Sequence, residues 1–124
     1  METGTWTVVF YVETGGGTPV RAFLEGLDLK TQARLRRAVE LLVQRNVTAG
    51  EPLVRHLEGK LWELRVESNT NIYRIVYAFS PGRRIVLLHG FQKKTQKTPR
   101  REIETAARRF EDFQARSTKG GVSP

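Results

Sequence analysis

Cysteine is absent from this 124-residue chain. Its absence excludes disulfides, thiol catalysis and thiolate metal sites, and it fits the reducing environment of the cytosol. Long apolar runs are also absent, since none approaches the ~20 residues that a membrane-spanning helix requires. The first residues, 1–4, have neither the basic region nor the apolar stretch of a secretory signal. We therefore expect a cytoplasmic protein that makes no membrane contact.

Histidine is scarce, and the two that occur, His56 and His89, have no second histidine at metal-ligand spacing. The sequence therefore gives no support for a metal site. Three consecutive glycines at 15–17 are followed neither by Gly-Lys-Ser/Thr nor by the spacing of a dinucleotide fingerprint. We interpret them as a flexible connection between a strand and a helix, and we predict no cofactor.

Basic residues dominate the charge, with 21 lysines and arginines against 13 acidic residues and a net charge of +8. This balance indicates a polyanionic partner, nucleic acid first and acidic protein second, and the alternative is a solvated basic surface. The length and the hydrophobic content of 39% are typical of one globular domain. We place that domain at residues 1–116 and predict that the small, polar segment 117–124 is a disordered tail.

The flanking elements follow from local patterns. Residues 5–12 are rich in β-branched and aromatic side chains, which predicts a strand. Thr18-Pro19 has the form of a helix start, and the apolar spacing over 29–45 predicts a clear amphipathic helix. Residues 53–59 are interpreted as a linking segment, with an irregular strand start as the alternative. Thr98-Pro99 repeats the cap-plus-proline pattern and predicts the last helix.

The last helix is predicted to bury one apolar stripe and to leave its arginines outside. The stripe consists of Ile103, Ala106, Ala107, Phe110 and Phe113. The arginines are Arg100, Arg101, Arg108, Arg109 and Arg116.

The central stretch 61–97 contains three apolar runs separated by turn signals at 68–71 and 80–82. This pattern predicts a three-stranded antiparallel meander. The element order becomes β-α-α-β-β-β-α, an α+β fold in which a helical hairpin packs on the sheet. We expect the first strand at an edge of the sheet or next to the last strand.

The first hairpin has a definite predicted register. If Asn69-Thr70 is a two-residue turn, Arg74 lies directly opposite Arg65. Alternation then gives one apolar face, made of Trp62, Leu64, Val66, Tyr73, Ile75 and Tyr77. Like charges directly opposite each other cost roughly 0.2–1 kcal/mol. An anion between the two arginines would remove that cost, and the alternative is that they pair with the nearby Glu63 and Glu67.

The second hairpin is less defined. A Pro81-Gly82 turn would place Val86 and Leu88 on the apolar face. His89 would then lie beside Arg74, with Phe91 and Lys93 on the same side. Pro-Gly is not the usual tight hairpin turn, and a bulge would shift the register by one residue and reverse the faces.

Three motifs carry a family resemblance. They are L-W-E-L-R at 61–65, Y-R-I-V-Y at 73–77 and I-V-L-L-H-G-F-Q-K-K-T-Q-K-T-P at 85–99. In these motifs and in its element order the chain resembles the RelE/HigB-type toxins of bacterial toxin–antitoxin systems, in their phage-derived branch. The resemblance implies a small RelE-like, microbial RNase-like fold. It also implies metal-independent mRNA cleavage, usually on the ribosome, and a helix-turn-helix antitoxin as partner.

The resemblance implies which basic residues of this chain are functional, because the family's basic residues can be matched to positions in the motifs. They are Arg65, Arg74, Lys93 and Lys94, with Lys97 as a further RNA contact. The residue chemistry adds three candidates. His89 has an ordinary pKa that suits proton transfer. Phe91 is a candidate for base stacking, its alternative being a core aromatic. Arg100 lies at the basic start of the last helix.

Two departures leave alternatives open. Some relatives have a basic residue where this chain has Glu63, and its last helix has neither the tyrosine nor the histidine that some relatives use for proton transfer. A ParE-like inhibitor of DNA gyrase would keep the fold and need no RNA-cleaving residues. A non-catalytic module that binds RNA or an antitoxin would keep the basic surface alone.

Overall fold

The computed structural model describes residues 5–93 and 96–121. Its strands are β1 (Thr7–Phe10), β2 (Val54–Glu58), β3 (Leu61–Ser68), β4 (Asn71–Ser80) and β5 (Arg84–Lys93). Its helices are α1 (Pro19–Glu25), α2 (Leu29–Arg45), followed by a single 3-10 turn at Asn46–Thr48, and α3 (Arg100–Gly121). The α+β class and the meander are confirmed.

The sheet has one strand more than predicted. Its order is β1-β5-β4-β3-β2, and β2 occupies the segment that is interpreted above as a linker, with an irregular strand start as the alternative. Arginine, histidine and glutamate interrupt its apolar residues, so its own pattern is weak, and it is held by antiparallel pairing with β3 instead. At the opposite edge β1 pairs with β5 in parallel, as expected for the first strand.

The β3–β4 register is confirmed residue by residue, with Arg65 opposite Arg74. The turn has positive φ at both central residues, 53° at Asn69 and 65° at Thr70. This is the backbone of a type I′ turn, whose twist matches that of the flanking strands. The predicted apolar face packs against α1 and α2 in one core, together with Val20, Leu35 and Leu42.

The β4–β5 register differs from the prediction in two places. The loop holds three residues, 81–83, because Ser80 pairs with Arg84. Ile85 and Leu87 therefore face α1 and α2, while Val86 and Leu88 face α3, so their predicted placement is wrong.

A bulge in β5 then returns the residues after Leu88 to the sheet faces that were predicted for them. Tyr77 pairs with Leu87 but Val76 pairs with His89, so Leu88 is the additional residue. The total shift is two residues, which returns His89, Phe91 and Lys93 to the face of Arg74. The direct partner of Arg74 is Phe91, not His89.

Helix α3 covers that second face with the predicted stripe, in which Ala106 and Phe110 are buried. Two details differ from the prediction. Thr98 does not cap the helix; instead, the carbonyl of Pro99 accepts from the backbone N–H groups of Glu102 and Ile103 at 3.1 and 3.4 Å. Arg109 is turned toward β5, where its guanidinium donates to the carbonyl of Leu88 at 2.9 Å.

Helix α3 continues to Gly121, and residues 122–124, the end of the predicted tail, lie outside the described residues. None of the helices in the described part of the chain is both long and apolar enough to span a membrane.

Candidate functional site

The arginine pair is built around an internal carboxylate. Glu63 is completely buried, and its Oε2 lies 3.5 Å from Nε of Arg65 and 3.7 Å from Nε of Arg74. The hydroxyl of Thr98 donates to Oε1 of the same carboxylate. The anion expected between the two arginines is therefore Glu63 itself. Of the two glutamates named in the alternative, Glu63 is the one that pairs with both.

Arg74 holds the start of α3 to the sheet. Its side chain is completely buried, one guanidinium nitrogen donates to the carbonyl of Gln96 at 3.1 Å, and the other lies 3.5 Å from the Thr98 hydroxyl. Burial lowers the pKa of Arg74, and the charge of Glu63 opposes that effect. A guanidinium enclosed in this way supports the segment 96–98 and has no solvent-facing surface for a phosphate.

Arg65 is the member of the pair that reaches the surface. Its side chain is 17% exposed, and its guanidinium donates to Oε1 of Gln96 at 2.7 Å. Gln96 is exposed, and Lys97, the next residue, is exposed too. The structure thus brings Arg65 and the basic loop together. Residue 94, the second lysine predicted in this loop, lies outside the described residues.

Lys93 ends β5 on the same face of the sheet. It is half-buried and pairs with Ile72 at the start of β4, two residues beyond the Arg74–Phe91 pair. Lys93 therefore lies on the Arg74 side of the sheet, at the point where β5 leads into the basic loop.

His89 lies under α3, two strands away from Arg65. Its Nε2 is 2.6 Å from Oε1 of Glu102, and the guanidinium of Arg109 is 3.1 Å from Nδ1. Because a guanidinium only donates and an ionised carboxylate only accepts, this network fixes the neutral tautomer with the proton on Nε2. Burial lowers the pKa of His89, the bond to Glu102 raises it, and the charge of Arg109 lowers it further. Both ring nitrogens are engaged.

Phe91 and Arg100, the further predicted RNA contacts, both contact other side chains of the protein. Phe91 is 7% exposed and stacks on the ring of His89, with centroids 5.4 Å apart, so it is the core aromatic of the alternative interpretation. Arg100 is exposed, but it binds both oxygens of Glu58 at 2.6 and 2.9 Å. That pairing raises the pKa of Arg100 and ties the start of α3 to the end of β2.

Sequence reasoning missed three residues of the network: Gln96, Thr98 and Arg109. Thr98 carried a misleading signal, because a threonine before a proline is a normal helix start. Gln96 carried no signal, since its contact with Arg65 joins residues 31 positions apart. Arg109 is one of five arginines in α3, and the sequence pattern does not distinguish it from the other four.

An open groove of about 430 Å³ adjoins Arg65 on the side of α2. Leu41, Leu53 and Ile72 contribute apolar walls, and Arg45 and Glu67 join Arg65 as its polar residues. Within residues 5–93 and 96–121, no group of three or more histidine or acidic side chains is arranged to hold a metal ion.

A basic α+β domain with an arginine and a lysine loop on one sheet face, and a C-terminal helix across that face, is the arrangement that the RelE/HigB resemblance implies. The family comparison agrees: residues 22–111 match the model of the phage-derived Gp49-like proteins, and the chain belongs to that family.

Two curated relatives carry the description "Probable endoribonuclease HigB1". They come from the CDC 1551/Oshkosh and H37Rv strains of Mycobacterium tuberculosis. Each is 35% identical over 107 residues, which is 83% of this chain and 79% of the relative. The RelE/HigB-type assignment is thereby confirmed.

Proposed function

We propose that this protein is the toxin of a type II toxin–antitoxin pair, a cytoplasmic endoribonuclease that cleaves mRNA, with the ribosome presenting the substrate. One observation carries the proposal. Arg65 reaches the surface from a rigid strand, fixed by Glu63 and Gln96, directly beside the loop that leads to Lys97. The description of the two relatives as endoribonucleases supports the same reaction.

Cleavage of RNA without a metal uses the neighbouring 2′-hydroxyl as nucleophile and leaves a cyclic phosphate and a 5′-hydroxyl. The 2′-hydroxyl must pass its proton to a solvent water as the new O–P bond forms, and the leaving 5′-oxygen must receive one as the old bond breaks. The protein must align this attack and stabilise the phosphorane. A guanidinium fork suits phosphate oxygens, so Arg65 is assigned to the phosphorane. Lys93, Lys94 and Lys97 are assigned to the scissile and flanking phosphates, and a lysine ammonium of this loop is assigned to protonating the leaving oxygen.

Two of the predicted catalytic residues take supporting roles in this proposal. Arg74 is a positioning residue, because its buried guanidinium holds Gln96 and Thr98 and thereby the loop that contacts Arg65. His89 has no free lone pair with which to accept a proton, since Arg109 donates to Nδ1 and Nε2 carries the hydrogen that faces Glu102. We assign His89 to holding α3 against β5.

The partner that restrains such a toxin is expected to be a cognate helix-turn-helix antitoxin. A net charge of +8 complements both an acidic antitoxin segment and ribosomal RNA. Complementary charge speeds the encounter with either partner.

The test is mRNA cleavage in a purified translation system, with and without ribosomes, and with cut sites mapped by primer extension. Arg65→Ala is compared with wild type and with Arg37→Ala, which removes an exposed arginine from α2. We expect Arg65→Ala to lower the cleavage rate by ~10²-fold or more, as loss of one oxyanion donor does, and Arg37→Ala to retain it. Arg65 is the better target than Arg74, because a buried arginine cannot be removed without a folding defect.

Cuts that require ribosomes would support the whole proposal. Absence of cleavage by well-folded wild type, under both conditions, would overturn it. Inhibition of DNA gyrase and RNA binding without cleavage would then be measured on the same preparations.

A further inference from the structure

The groove beside Arg65 exists because β2 is too short to pair with the whole length of β3. Val54 is the first residue of β2 and pairs with Leu64, and the backbone N–H of Arg65 donates to the carbonyl of Leu53 at 3.0 Å. Beyond this point, no strand among residues 5–93 and 96–121 pairs with the outer side of β3. The carbonyl of Glu67 is instead bound by the Arg34 guanidinium at 3.0 Å. The space left between α2 and the end of β3 is the groove.

The lining combines apolar walls with a mostly cationic rim. Leu41, Leu53 and Ile72 form walls, and Arg45 and Arg65 lie at the rim with one acid, Glu67. The volume of about 430 Å³ falls in the range of small-molecule sites, ~300–1,000 Å³. A ligand that complements this lining has an anionic part for the arginines, a flat apolar part for the walls and a hydrogen-bond donor for Glu67.

A nucleotide of the RNA substrate has these three parts. The phosphate on Arg65 supplies the anion, and the attached base supplies the apolar faces. The donor is the exocyclic amino group that adenine, cytosine and guanine carry, and a carboxylate side chain accepts from such a group. Uracil offers only its N3–H, which lies between two carbonyl oxygens that repel a carboxylate. Phe91 does not offer an alternative stacking place, because it is buried under α3.

We propose that this groove is a base-binding subsite, which receives the base next to the phosphate held by Arg65 and selects an amino-bearing base over uracil through Glu67. The proposal rests on the proposed function for its substrate. It adds a specificity-determining residue, Glu67, and a place on the protein for one base.

The test measures binding separately from cleavage. The probes are 2′-O-methylated hexanucleotides, which lack the nucleophile: a run of six uridines and three variants with one adenosine, cytidine or guanosine in the run. Fluorescence anisotropy gives their affinities for the full chain. We expect at least one amino-base probe to bind at least about five-fold more tightly than hexauridine.

Glu67→Ala should reduce that preference to less than about two-fold. Glu111→Ala, which removes another exposed glutamate from α3, should retain it. Leu41→Trp, which fills the groove, should weaken every amino-base probe toward the affinity of hexauridine. Equal binding of all four probes by wild type, or full preference in Glu67→Ala, would overturn the subsite.

These results are distinguishable from failure of the proposed function. Wild type that cleaves mRNA but binds all four probes equally would overturn the subsite alone. Wild type that discriminates among the probes but never cleaves would overturn the nuclease and leave the subsite supported.

Discussion

Glu63 is the residue on which the geometry of the site depends. Two arginines that face each other across a strand pair repel, and moving charges out of water costs several kcal/mol per ion. The carboxylate of Glu63 lies within 3.7 Å of both guanidinium groups and also accepts from Thr98. It therefore compensates the buried charge of Arg74 and fixes the direction of Arg65. A basic residue at this position would require a different arrangement of the pair.

Replacing Glu63 by glutamine tests this role. Glutamine has nearly the same shape but no charge, so Arg74 would stay buried without a counter-charge. We expect Glu63→Gln to lower the free energy of unfolding by about 3–5 kcal/mol, as breaking a buried pair does. Denaturant unfolding followed by circular dichroism measures the change. Glu67→Gln, at an exposed position of the same strand, is the matched control and should stay within about 0.5 kcal/mol.

His89 links stability to pH. Its pKa is lowered in the folded protein, mainly by burial, and protonation of Nδ1 would break the bond donated by Arg109. The unfolded state, with a histidine pKa of ~6.5, therefore binds a proton more readily than the native state. The stabilisation is fully present above pH ~6.5 and is lost as the pH falls through the unfolded-state pKa toward the folded-state value.

We expect the wild type to lose more stability than His89→Gln when the pH is lowered from about 7 to about 5.5. Denaturant unfolding of both proteins at each pH measures this difference, in which the contributions of the carboxylates largely cancel. Parallel pH dependence of the two proteins would show that His89 titrates normally in the fold.

At the scale of elements, the parts with local signals were predictable. The bounds of α2 follow from its apolar spacing, and the β3–β4 register follows from a two-residue turn that leaves no freedom in the pairing. The β4–β5 register was not predictable, because the loop length and the bulge at Leu88 each shift it by one residue. β2 was missed since its pairing with β3, not its own composition, makes it a strand.

Only the part of the site that follows from the hairpin register was predictable. Arg65 and Arg74 followed from the hairpin register, and that register also placed Glu63 on their face. The burial of Arg74 was not predictable, because it depends on the segment 96–98 returning over the sheet. The groove beside Arg65 depends on where β2 begins, and no local pattern marks that residue.

Gly90 in β5 marks the contact between the sheet and α1. A Cβ at this position would lie 2.4 Å from Cδ2 of Phe23, closer than side-chain atoms can approach. We expect Gly90→Ala to force α1 outward and to lower the free energy of unfolding by about 1–3 kcal/mol, the usual cost of overpacking. Denaturant unfolding provides the measurement.

Gly50→Ala is the matched control for Gly90→Ala. A Cβ at Gly50 meets nothing within 4 Å, so the change should stay within about 0.5 kcal/mol. Equal stability of the two variants would mean that Phe23 moves aside without cost and that α1 is packed loosely on the sheet.

At the scale of the whole molecule, the sheet lies between two cores, with α1 and α2 on one face and α3 on the other. The face under α3 is closed where Phe91 and His89 lie and reaches the surface at Arg65 and Lys97. The net charge of +8 can therefore act on RNA only through the cations that lie at the surface. Arg100 is exposed but bound to Glu58. It therefore adds to the total charge of the chain but is expected to contribute little to RNA binding.

The salt dependence of RNA binding makes this distinction measurable. Each cation that neutralises a phosphate of single-stranded RNA contributes ~0.7 to the slope of log affinity against log salt concentration. We expect Arg65→Ala and Lys97→Ala each to reduce the slope measured with a 2′-O-methylated RNA by about that amount. Arg100→Ala should change the slope less, because Arg100 alone faces the two carboxylates of Glu58 and Glu104, whereas Arg65 shares the single carboxylate of Glu63 with Arg74. An equal reduction in all three variants would show that Arg100 leaves Glu58 to bind RNA. The predicted RNA contact at Arg100 would then stand, and the pairing with Glu58 would be a property of the free protein alone.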